Sequence, residues 1–355
     1  MFSKKLDSLK TYEAGKPIEL VVREFGIEPK DIIKLASNEN PYGCSLKVQE
    51  EVKKIVNQMS VYPDDSMYEL KEGLSQKFDV ESKNIIIGAG SDQVLEFAIH
   101  AIEPKKVLMS KTTFAMYEIY SKQVGAEIIK TSSHEHNLDE FRKYKDEVDI
   151  IFICLPNNPL GECLDWRDVK KFIDEVDNDT LIIIDGAYQE YATFKDENKK
   201  IEPKWILDYP NVLYTGTFSK AYGLGGMRIG YGIANEYIIK NLYKLRPPFN
   251  ITTLSLKAGI IALQDEEFVS DSIHKNFEEM KRYEDFCKNK NLKYIESYTN
   301  FITIFVEDST KLADDLLKMG IIVRNLASYG LNAIRITIGT NTQNDKVLAI
   351  LDKMI

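Results

Sequence analysis

This chain of 355 residues has few cysteines, no long apolar run and no excess of basic charge. The four cysteines, Cys44, Cys154, Cys163 and Cys287, are widely spaced and form no C-x-x-C pair, which favours reduced thiols and a cytoplasmic location. No uninterrupted apolar stretch approaches the roughly 20 residues that a membrane-spanning helix needs. The formal net charge of −9 argues against a nucleic-acid partner, because such a partner requires a basic face.

Metal-binding and nucleotide-binding motifs are lacking as well. His134 and His136 share a polar loop, but no third ligand is near them in the sequence, so no metal site is predicted. The chain has no phosphate-binding loop of the type G-x-x-x-x-G-K-[ST]. The glycine-rich turn at residues 88–93 lacks the third glycine of the dinucleotide-binding fingerprint, which disfavours a dinucleotide-binding fold.

The chain does contain short runs of β-branched residues. From residue 84 onward they alternate with amphipathic helical segments, and each run is unbroken and five to seven residues long, which is typical of strands covered on both faces. The runs are residues 84–88, 106–110, 127–131, 149–155, 180–185, 211–215 and 228–233. This alternation predicts an α/β fold with a mostly parallel sheet flanked by helices.

A proline pair interrupts this pattern. The string Arg246-Pro247-Pro248 ends a helical segment, because the residue before a proline avoids the helical conformation. Beyond it, a helical stretch at residues 268–290 precedes strand candidates and a final helix; the candidates are residues 292–296, 301–306, 321–324 and 333–338. This order predicts a second, smaller α+β domain after the proline pair.

Several predicted strands run into residues suited to chemistry. One strand ends in glycines and a helix begins at Ser91 or Asp92, where free backbone N–H groups could hold a phosphate. Asn158 lies in a turn after a buried strand, and Asp185 ends the next strand, followed by Tyr188. Each of these features, taken alone, is equally well explained as an ordinary turn or helix cap.

The segment from residue 215 to residue 228 carries the strongest signal. Lys220 follows Thr217 and Ser219 at a strand end, and Arg228 lies eight positions later, beyond a glycine-rich turn. An isolated lysine at a strand end is usually a solvated surface residue. Hydroxyl groups, glycines and an arginine around one lysine instead favour a site for a phosphorylated ligand.

Taken together, these stretches resemble the fold-type I pyridoxal-phosphate-dependent aminotransferases. The Thr-x-Ser-Lys string with Arg228, the pair Asp185 and Tyr188, and the Asn-Pro-x-Gly turn that begins at Asn158 occur in that family's order and approximate spacing. The resemblance runs through most of the chain. It implies a pyridoxal 5'-phosphate cofactor, transfer of an amino group, and a homodimer with shared active sites.

The resemblance also assigns roles to matching residues. Lys220 would form the Schiff base, and Asp185 would keep the pyridine nitrogen protonated so that the ring can accept electrons. The other cofactor-binding residues that it implies are Asn158 and Tyr188 at the ring's phenolic oxygen, Phe114 stacked on the ring, Thr217, Ser219, Arg228 and the N–H groups near Ser91 and Asp92 at the phosphate, and Tyr62 at the neighbouring subunit's phosphate. Lys220, Asp185 and Tyr188 are the expected catalytic residues, with the freed Lys220 amine moving the substrate proton.

Three further features resemble the histidinol-phosphate aminotransferases. They are residues 12–17, residues 34–43, and the arginines Arg324 and Arg335. The resemblance implies an N-terminal segment over the active site, with Tyr12 near the substrate, and two arginines that bind the substrate's phosphate or the carboxylates of glutamate and 2-oxoglutarate. The expected domains are a large cofactor-binding domain at residues 41–246, and a small domain at residues 247–355 with residues 1–40.

The reaction that this resemblance implies is transamination of L-histidinol phosphate with 2-oxoglutarate, giving imidazole acetol phosphate and glutamate in histidine biosynthesis. The sequence departs from the family's pattern at three positions: Gly186 replaces a usual Glu, Leu160 a usual Thr and Thr112 a usual Pro. Three alternatives stay open: an aromatic-amino-acid aminotransferase, a lyase like phosphothreonine decarboxylase, and a non-catalytic binding or regulatory protein on this fold. The intact Lys220 and Asp185 disfavour the last of these.

Overall fold

The structure, a computed structural model, describes Leu9 and residues 18–355. Its strands are β1 (Ile33–Lys34), β2 (Ile85–Gly88), β3 (Lys106–Met109), β4 (Glu127–Lys130), β5 (Ile150–Cys154), β6 (Leu181–Asp185), β7 (Val212–Thr217), β8 (Gly230–Ala234), β9 (Tyr294–Ile295), β10 (Phe301–Phe305), β11 (Ile321–Ile322), β12 (Arg324–Asn325) and β13 (Ala333–Thr337).

Helices separate most of these strands. They are α1 (Ile18–Phe25), α2 (Leu46–Ile55), α3 (Tyr68–Phe78), α4 (Ser91–Ile102), α5 (Ala115–Val124), α6 (Leu138–Arg142), α7 (Trp166–Asp174), α8 (Gln189–Lys195), α9 (Pro203–Ile206), α10 (Glu236–Tyr243), α11 (Thr253–Leu263), α12 (Glu266–Asn289), α13 (Ser309–Lys318) and α14 (Asn341–Met354). None of the helices in this described part of the chain is long and apolar enough to cross a membrane.

A seven-stranded sheet organises the first part of the chain, in the order β2-β8-β7-β6-β5-β3-β4. Strand β8 runs antiparallel to both of its neighbours, and the other pairs in this sheet are parallel. The carboxyl ends of β2, β5, β6 and β7 therefore meet at one edge of the sheet, together with the start of β8. This is the edge at which open α/β sheets bind ligands.

Alternating side chains of the central strands fill two cores. In β6, Ile182 and Ile184 join one apolar cluster with side chains of α3, α7, α8 and α11, whereas Leu181 and Ile183 join a second cluster with side chains of α4, α5 and α10. Successive residues of a strand point to opposite faces, so the unbroken apolar run reflects burial on both sides. Each such side chain stabilises the fold by roughly 1.5–3 kcal/mol, which makes the strand ends a rigid support.

A second sheet lies beyond the proline pair. It is antiparallel, in the order β12-β13-β10-β9, and its core is shared with α12, α13 and α14. The predicted strand at residues 321–324 is divided in the structure, because β11 pairs with β1 while β12 pairs with β13. Strands β1 and β11 form a separate two-stranded sheet, and the segment after β1 is bonded to the second sheet because the Thr337 amide donates to the Leu35 carbonyl oxygen at 2.8 Å.

Candidate active site

The carboxyl ends of the central strands enclose a cavity of about 250 Å³. It is lined by Ser37, Glu39, Gly90, Ser91, Asp92, Phe114, Cys154, Asn158, Asp185, Ala187, Tyr188, Thr217, Ser219, Lys220, Gly225 and Arg228. Ten of the residues that the sequence singles out are among them. The strand topology therefore brings together ten side chains that were singled out from the sequence and that span 137 positions, from Ser91 to Arg228 (228 − 91).

Lys220 follows the end of β7 and is partly buried in this cavity. Its Nζ donates to the Ser37 carbonyl oxygen at 3.3 Å and lies 5.8 Å from the centre of the Tyr188 ring. Burial, and secondly the positive charge of Arg335, lower the pKa of Lys220 from 10.5 to about 8. Since only an uncharged amine can attack a carbonyl carbon, this lowered pKa prepares Lys220 to act as a nucleophile near neutral pH.

Asp185 ends β6 and is 3% exposed. Its carboxylate accepts hydrogen bonds from the Tyr117 hydroxyl at 2.7 Å, the Ala187 amide at 3.2 Å and the Thr215 hydroxyl at 3.3 Å. Burial raises the pKa of Asp185 from 3.8 to about 6, although the hydrogen bond from Tyr117 opposes this. A nearly dry carboxylate with these donors is oriented to receive a positively charged group of a ligand.

The start of α4 forms one wall of the cavity. Its N-cap residue, Gly90, has a φ of +81° and provides no side-chain cap, whereas α10 and α11 are capped by Asn235 and Thr252. A Cβ at Gly90 would lie 2.8 Å from Arg228 Nη2, so glycine allows the guanidinium to approach this turn. Uncapped N–H groups beside an arginine form a site for an anion.

A hydroxyl and a carboxylate lie beside the Arg228 guanidinium, and a second hydroxyl bonds to the first. Thr217 Oγ1 and Ser219 Oγ are 3.0 Å apart, and Arg228 Nη1 donates to Ser219 Oγ at 3.5 Å. Arg228 Nη2 lies 3.5 Å from Asp92 Oδ2, while Asp92 Oδ1 is buried without a hydrogen-bond partner. Burial raises the pKa of Asp92, and Arg228 opposes this.

Tyr188 and Asn158 face the cavity from neighbouring strand ends. The Tyr188 hydroxyl accepts a hydrogen bond from Asn38 Nδ2 at 2.8 Å, and Asn158 Oδ1 accepts one from Arg335 Nη1 at 2.5 Å. Phe114 precedes α5 and packs edge-on against Tyr117, with the ring centres 5.6 Å apart. The three groups present aromatic surface and polar atoms to the same space.

Arg335 lies outside the cavity lining but next to it. It is 8% exposed, and its Nη2 donates to the Ala36 carbonyl oxygen at 2.6 Å. Arg324 is its direct cross-strand neighbour in the β12–β13 pair, so the two arginines lie on the same face of the sheet. This places the two arginines next to each other on the sheet face from which Arg335 reaches the lining residue Asn158.

Besides the two arginines, the predicted site residues Tyr62 and Tyr12 are not among the residues that line this cavity. Tyr62 is 78% exposed, and its ring stacks on Phe249 with the ring centres 4.6 Å apart. Tyr12 lies outside the described residues. The two loop histidines have protein partners, because His134 bonds to the Thr112 hydroxyl at 2.7 Å and His136 accepts from the Cys154 amide at 3.2 Å. Within residues 18–355, no cluster of three His, Cys, Asp or Glu residues could hold a metal ion.

Comparison with known proteins places this geometry in a family. The sequence matches the family described as aminotransferase class I and II over residues 30–351. It is 62% identical to histidinol-phosphate aminotransferase from Aliarcobacter butzleri and 59% identical to that from Sulfurimonas denitrificans, with 100% of this chain and 99% and 100% of those proteins covered. The chain belongs to the class I and II aminotransferases, in the histidinol-phosphate aminotransferase family.

Solved structures show that the predicted fold is correct. This aminotransferase superposes on histidinol-phosphate aminotransferase from Sinorhizobium meliloti, in complex with pyridoxal-5'-phosphate, with a TM-score of 0.90 at 23% identity, covering 99% of this chain and 96% of that chain. It superposes on a double mutant of Thermus thermophilus aspartate aminotransferase with a TM-score of 0.85 at 18% identity, covering 100% of both chains. The predicted enzyme class, aminotransferase, is confirmed by the family.

The structure of this aminotransferase accounts for one departure from the pattern. A Cβ at Gly186 would lie 2.4 Å from the Tyr214 hydroxyl oxygen, and Tyr214 is itself buried. Any larger residue at position 186 would therefore collide with a ring that fills the same space. Leu160 joins an apolar cluster of the second sheet, and the Thr112 carbonyl accepts a hydrogen bond from Asn157 Nδ2 at 3.0 Å.

Four residues around the site were missed by sequence reasoning. Tyr117 and Thr215 bond to Asp185, Asn38 bonds to Tyr188, and Ser37 bonds to Lys220. Residues 37 and 38 lie inside a segment that the family resemblance already marked, so their position there was the available signal. Tyr117 had none, because its role depends on which face of α5 turns toward the sheet.

Proposed function

We propose that this aminotransferase transfers the amino group of L-histidinol phosphate to 2-oxoglutarate, with pyridoxal 5'-phosphate as cofactor, giving imidazole acetol phosphate and glutamate. The observation that carries the proposal is the convergence of Lys220, Asp185 and Arg228 on one cavity of about 250 Å³. Relatives that are 62% and 59% identical over their full length, both named for histidinol phosphate, support the substrate.

The residues present fit this cofactor. Lys220 offers an amine of lowered pKa for its aldehyde, and Asp185 offers a buried carboxylate for its ring nitrogen. Arg228 and the uncapped start of α4 offer cationic and N–H donors for its phosphate. The missing Cβ at Gly90 lets the guanidinium approach this turn closely. An amine, a carboxylate and an anion site are the three groups that pyridoxal phosphate requires.

When bound, pyridoxal phosphate supplies an electron-withdrawing ring that stabilises negative charge at the substrate's Cα. Asp185 would hold the ring nitrogen in its protonated form and so strengthen that withdrawal, since opposite charges in a dry site attract strongly. Lys220 would hold the cofactor covalently, and its Nζ would act as the general base for the proton at the substrate's Cα. Tyr188 and Asn158 would bind the ring's phenolic oxygen.

We assign the recognition of the substrate to Arg324 and Arg335. Histidinol phosphate carries a phosphate and no α-carboxylate, so the site must bind a phosphate in one half-reaction and carboxylates in the other. A guanidinium binds either group through two parallel N–H donors, and Arg324 and Arg335 lie side by side on one sheet face. We propose that Arg324 with Arg335, assisted by Tyr12, recognises the substrate's phosphate.

We also propose that the enzyme works as a cytoplasmic homodimer in which Tyr62 completes the partner's phosphate site. Met59, Val61 and Tyr62 are 69%, 66% and 78% exposed, and three large apolar side chains within four residues favour burial against another surface. Tyr62 lies away from its own cavity, stacked on Phe249. The domain division at residues 41–246, and at 247–355 with 1–40, stays a prediction.

Half-reactions test the substrate. Purified enzyme with cofactor is mixed with histidinol phosphate, phenylalanine or phosphothreonine, and the cofactor spectrum, the keto product and released CO₂ are followed. We expect histidinol phosphate to react with the highest kcat/KM and without CO₂. A preference for phenylalanine would instead make the chain an aromatic aminotransferase, and CO₂ from phosphothreonine would make it a lyase.

Arg324→Lys tests the recognition of phosphate, since it keeps the charge and loses the planar fork. Turnover of histidinol phosphate should fall at least about tenfold, which corresponds to roughly 1.4 kcal/mol, and an aromatic donor should suffer less. Arg167→Lys on α7, whose side chain is 58% exposed, is the matched control. Equal losses for all donors would remove Arg324 from phosphate recognition.

A further inference from the structure

A series of hydrogen bonds connects the proposed cofactor site to the segment that carries Tyr62. At its inner end, Gln93 Oε1 accepts from the Ala89 amide at 2.8 Å and from Asn250 Nδ2 at 2.7 Å. Ala89 belongs to the glycine turn (residues 88–90), and its carbonyl oxygen accepts from Arg228 Nη2 at 3.5 Å. The inner end of this hydrogen-bond series therefore contacts the turn that faces the proposed phosphate site.

Arg246 extends this series of hydrogen bonds toward the surface. Its Nη1 donates to Asn250 Oδ1 at 2.9 Å and to Asp65 Oδ1 at 2.8 Å, while its Nη2 donates to Asp65 Oδ2 at 2.7 Å. The Arg246 side chain is only 9% exposed, and the guanidinium lowers the pKa of Asp65 to about 2. The Asp65 side chain is 38% exposed, but a two-pronged, partly buried arginine–carboxylate pair still has a better defined geometry than a fully exposed surface pair.

The outer end fixes the Tyr62 arm, by which we mean residues 59–66. Asp65 Oδ1 also accepts from the Phe249 amide at 2.7 Å, and Phe249 carries the ring on which Tyr62 stacks. Phe249 has a φ of +56°, a conformation that residues with a side chain rarely adopt and that persists only when surrounding contacts impose it. The direction of the Tyr62 arm thus depends on the bond between Asp65 and Phe249.

We propose that Asp65, Arg246, Asn250 and Gln93, the arm-to-turn network, are positioning residues that couple the cofactor site of one subunit to the site that its Tyr62 arm completes in the partner. The inference rests on the shared sites of the proposed function. Because the four side chains are linked end to end, a displacement of the glycine turn moves the Asp65 carboxylate and the Phe249 ring. Each subunit's own cofactor site then sets the geometry of a residue in its partner's site.

Hybrid dimers with a single working site separate the two ends of the network. Two differently tagged chains are co-expressed, and one of them carries Lys220→Ala, so that only the other chain can hold pyridoxal phosphate covalently. Asn250→Ala, which removes the middle link, is placed either in the chain that keeps Lys220 or in the chain that lacks it. In the first hybrid, the working site has an altered glycine turn and receives an intact Tyr62 arm from its partner. In the second hybrid, the working site has an intact glycine turn and receives an altered Tyr62 arm.

Two readouts are taken from the working site: the dissociation constant of pyridoxal phosphate, followed by the absorbance of the covalently held form, and the kcat/KM for histidinol phosphate. We expect both hybrids to bind the cofactor about tenfold more weakly than the hybrid with intact Asn250, a change equal to roughly 1.4 kcal/mol. Arg246→Lys, which keeps the charge but loses the fork, should act in the same two positions if Asn250→Ala impairs folding.

Arg142→Met is the matched control, because Arg142 makes a similar two-pronged pair with Glu175, at 2.6 and 3.2 Å, between α6 and α7. It should leave both readouts unchanged. A loss confined to one of the two hybrids, or the same loss with Arg142→Met, overturns the coupling. Tyr62→Phe in the chain that lacks Lys220 provides the reference: if it has no effect, the shared sites are wrong, whereas if it acts and Asn250→Ala does not, only the coupling is wrong.

Discussion

Asp185 should make the cofactor-free enzyme less stable than an Asp185→Asn variant at neutral pH. The carboxylate ends a buried strand, and burial raises its pKa from 3.8 to about 6. Since a tenfold change in a binding constant corresponds to about 1.4 kcal/mol, holding this carboxylate ionised in the folded protein costs about 3 kcal/mol. Asparagine has the same shape and no charge. Its amide could still bond to the Tyr117 hydroxyl, which can accept as well as donate.

The sign of the pH dependence follows from the raised pKa. The folded protein binds the Asp185 proton more tightly than the unfolded chain does, so wild-type stability falls as the pH rises from about 4 to about 6 and is then level. The variant lacks this group. Its advantage should therefore be about 3 kcal/mol near pH 8 and shrink to about 1–2 kcal/mol near pH 5, while its activity falls by several orders of magnitude.

Urea unfolding of the cofactor-free proteins at the two pH values measures this difference. Asp265→Asn is the control with the opposite sign, because hydrogen bonds from Lys47 and Ser45 lower the pKa of Asp265. That variant should be less stable than wild type, and the loss should fade on acidification. If Asp185→Asn is no more stable than wild type near pH 8, or if the difference does not change with pH, burial does not destabilise the Asp185 carboxylate.

Three further predictions follow from contacts at the site. Tyr117→Phe removes the 2.7 Å hydrogen bond to Asp185 and should lower kcat by about ten- to a hundredfold, because bonds to charged groups contribute roughly 1.5–3 kcal/mol. Covalent capture of pyridoxal phosphate by the cofactor-free enzyme should be half-maximal near pH 8, since burial lowers the pKa of Lys220 to about 8. Gly186→Ala should reduce the free energy of unfolding by about 1–3 kcal/mol, because its Cβ would lie 2.4 Å from the buried Tyr214 hydroxyl oxygen.

The two substitutions each have a simple control. Tyr237→Phe changes a tyrosine that is 77% exposed and should leave kcat as it is. Gly226→Ala adds a Cβ that meets no atom within 4 Å and should leave the unfolding transition unchanged. A capture midpoint near the ordinary lysine value of 10.5 would contradict the lowered pKa of Lys220, and wild-type stability in Gly186→Ala would show that Tyr214 can move aside.

Most of the fold was predictable from the sequence because its strands are buried on both faces. Unbroken apolar runs such as residues 180–185 and 211–215 correspond to β6 and β7, and the parallel order places the predicted Asp185 and Lys220 at one edge. The antiparallel direction of β8 was not predictable, because its apolar run looks like those of its parallel neighbours. The division of residues 321–324 between two sheets depends on which partner each residue meets, and local pattern does not specify that.

The residues that line the cavity could be selected from short sequence motifs, whereas the residues that support them could not. Lys220, Asp185 and Arg228 lie in short motifs whose residue types are unusual at a strand end. Tyr117 and Asn250 are ordinary residues in the sequence, and they matter only because distant segments bring them within 3 Å of Asp185 and Gln93. Side-chain partners that are far apart in the chain leave no local trace in a single sequence.

The pairing of residues 33–38 with β11 and β13 joins an early segment of the chain to strands that are translated much later. The Asn38 amide donates to the Thr337 hydroxyl, and Arg335 donates to the Ala36 carbonyl oxygen, in both cases across 299 positions. On the ribosome, residues 36–38 therefore wait for partners that are translated 299 positions later. The central sheet can form earlier. Asn38 and Ser37 are held in position to contact Tyr188 and Lys220 only when that late strand emerges. A prematurely terminated product would thus contain the chemical groups of the site without the segment that orders them.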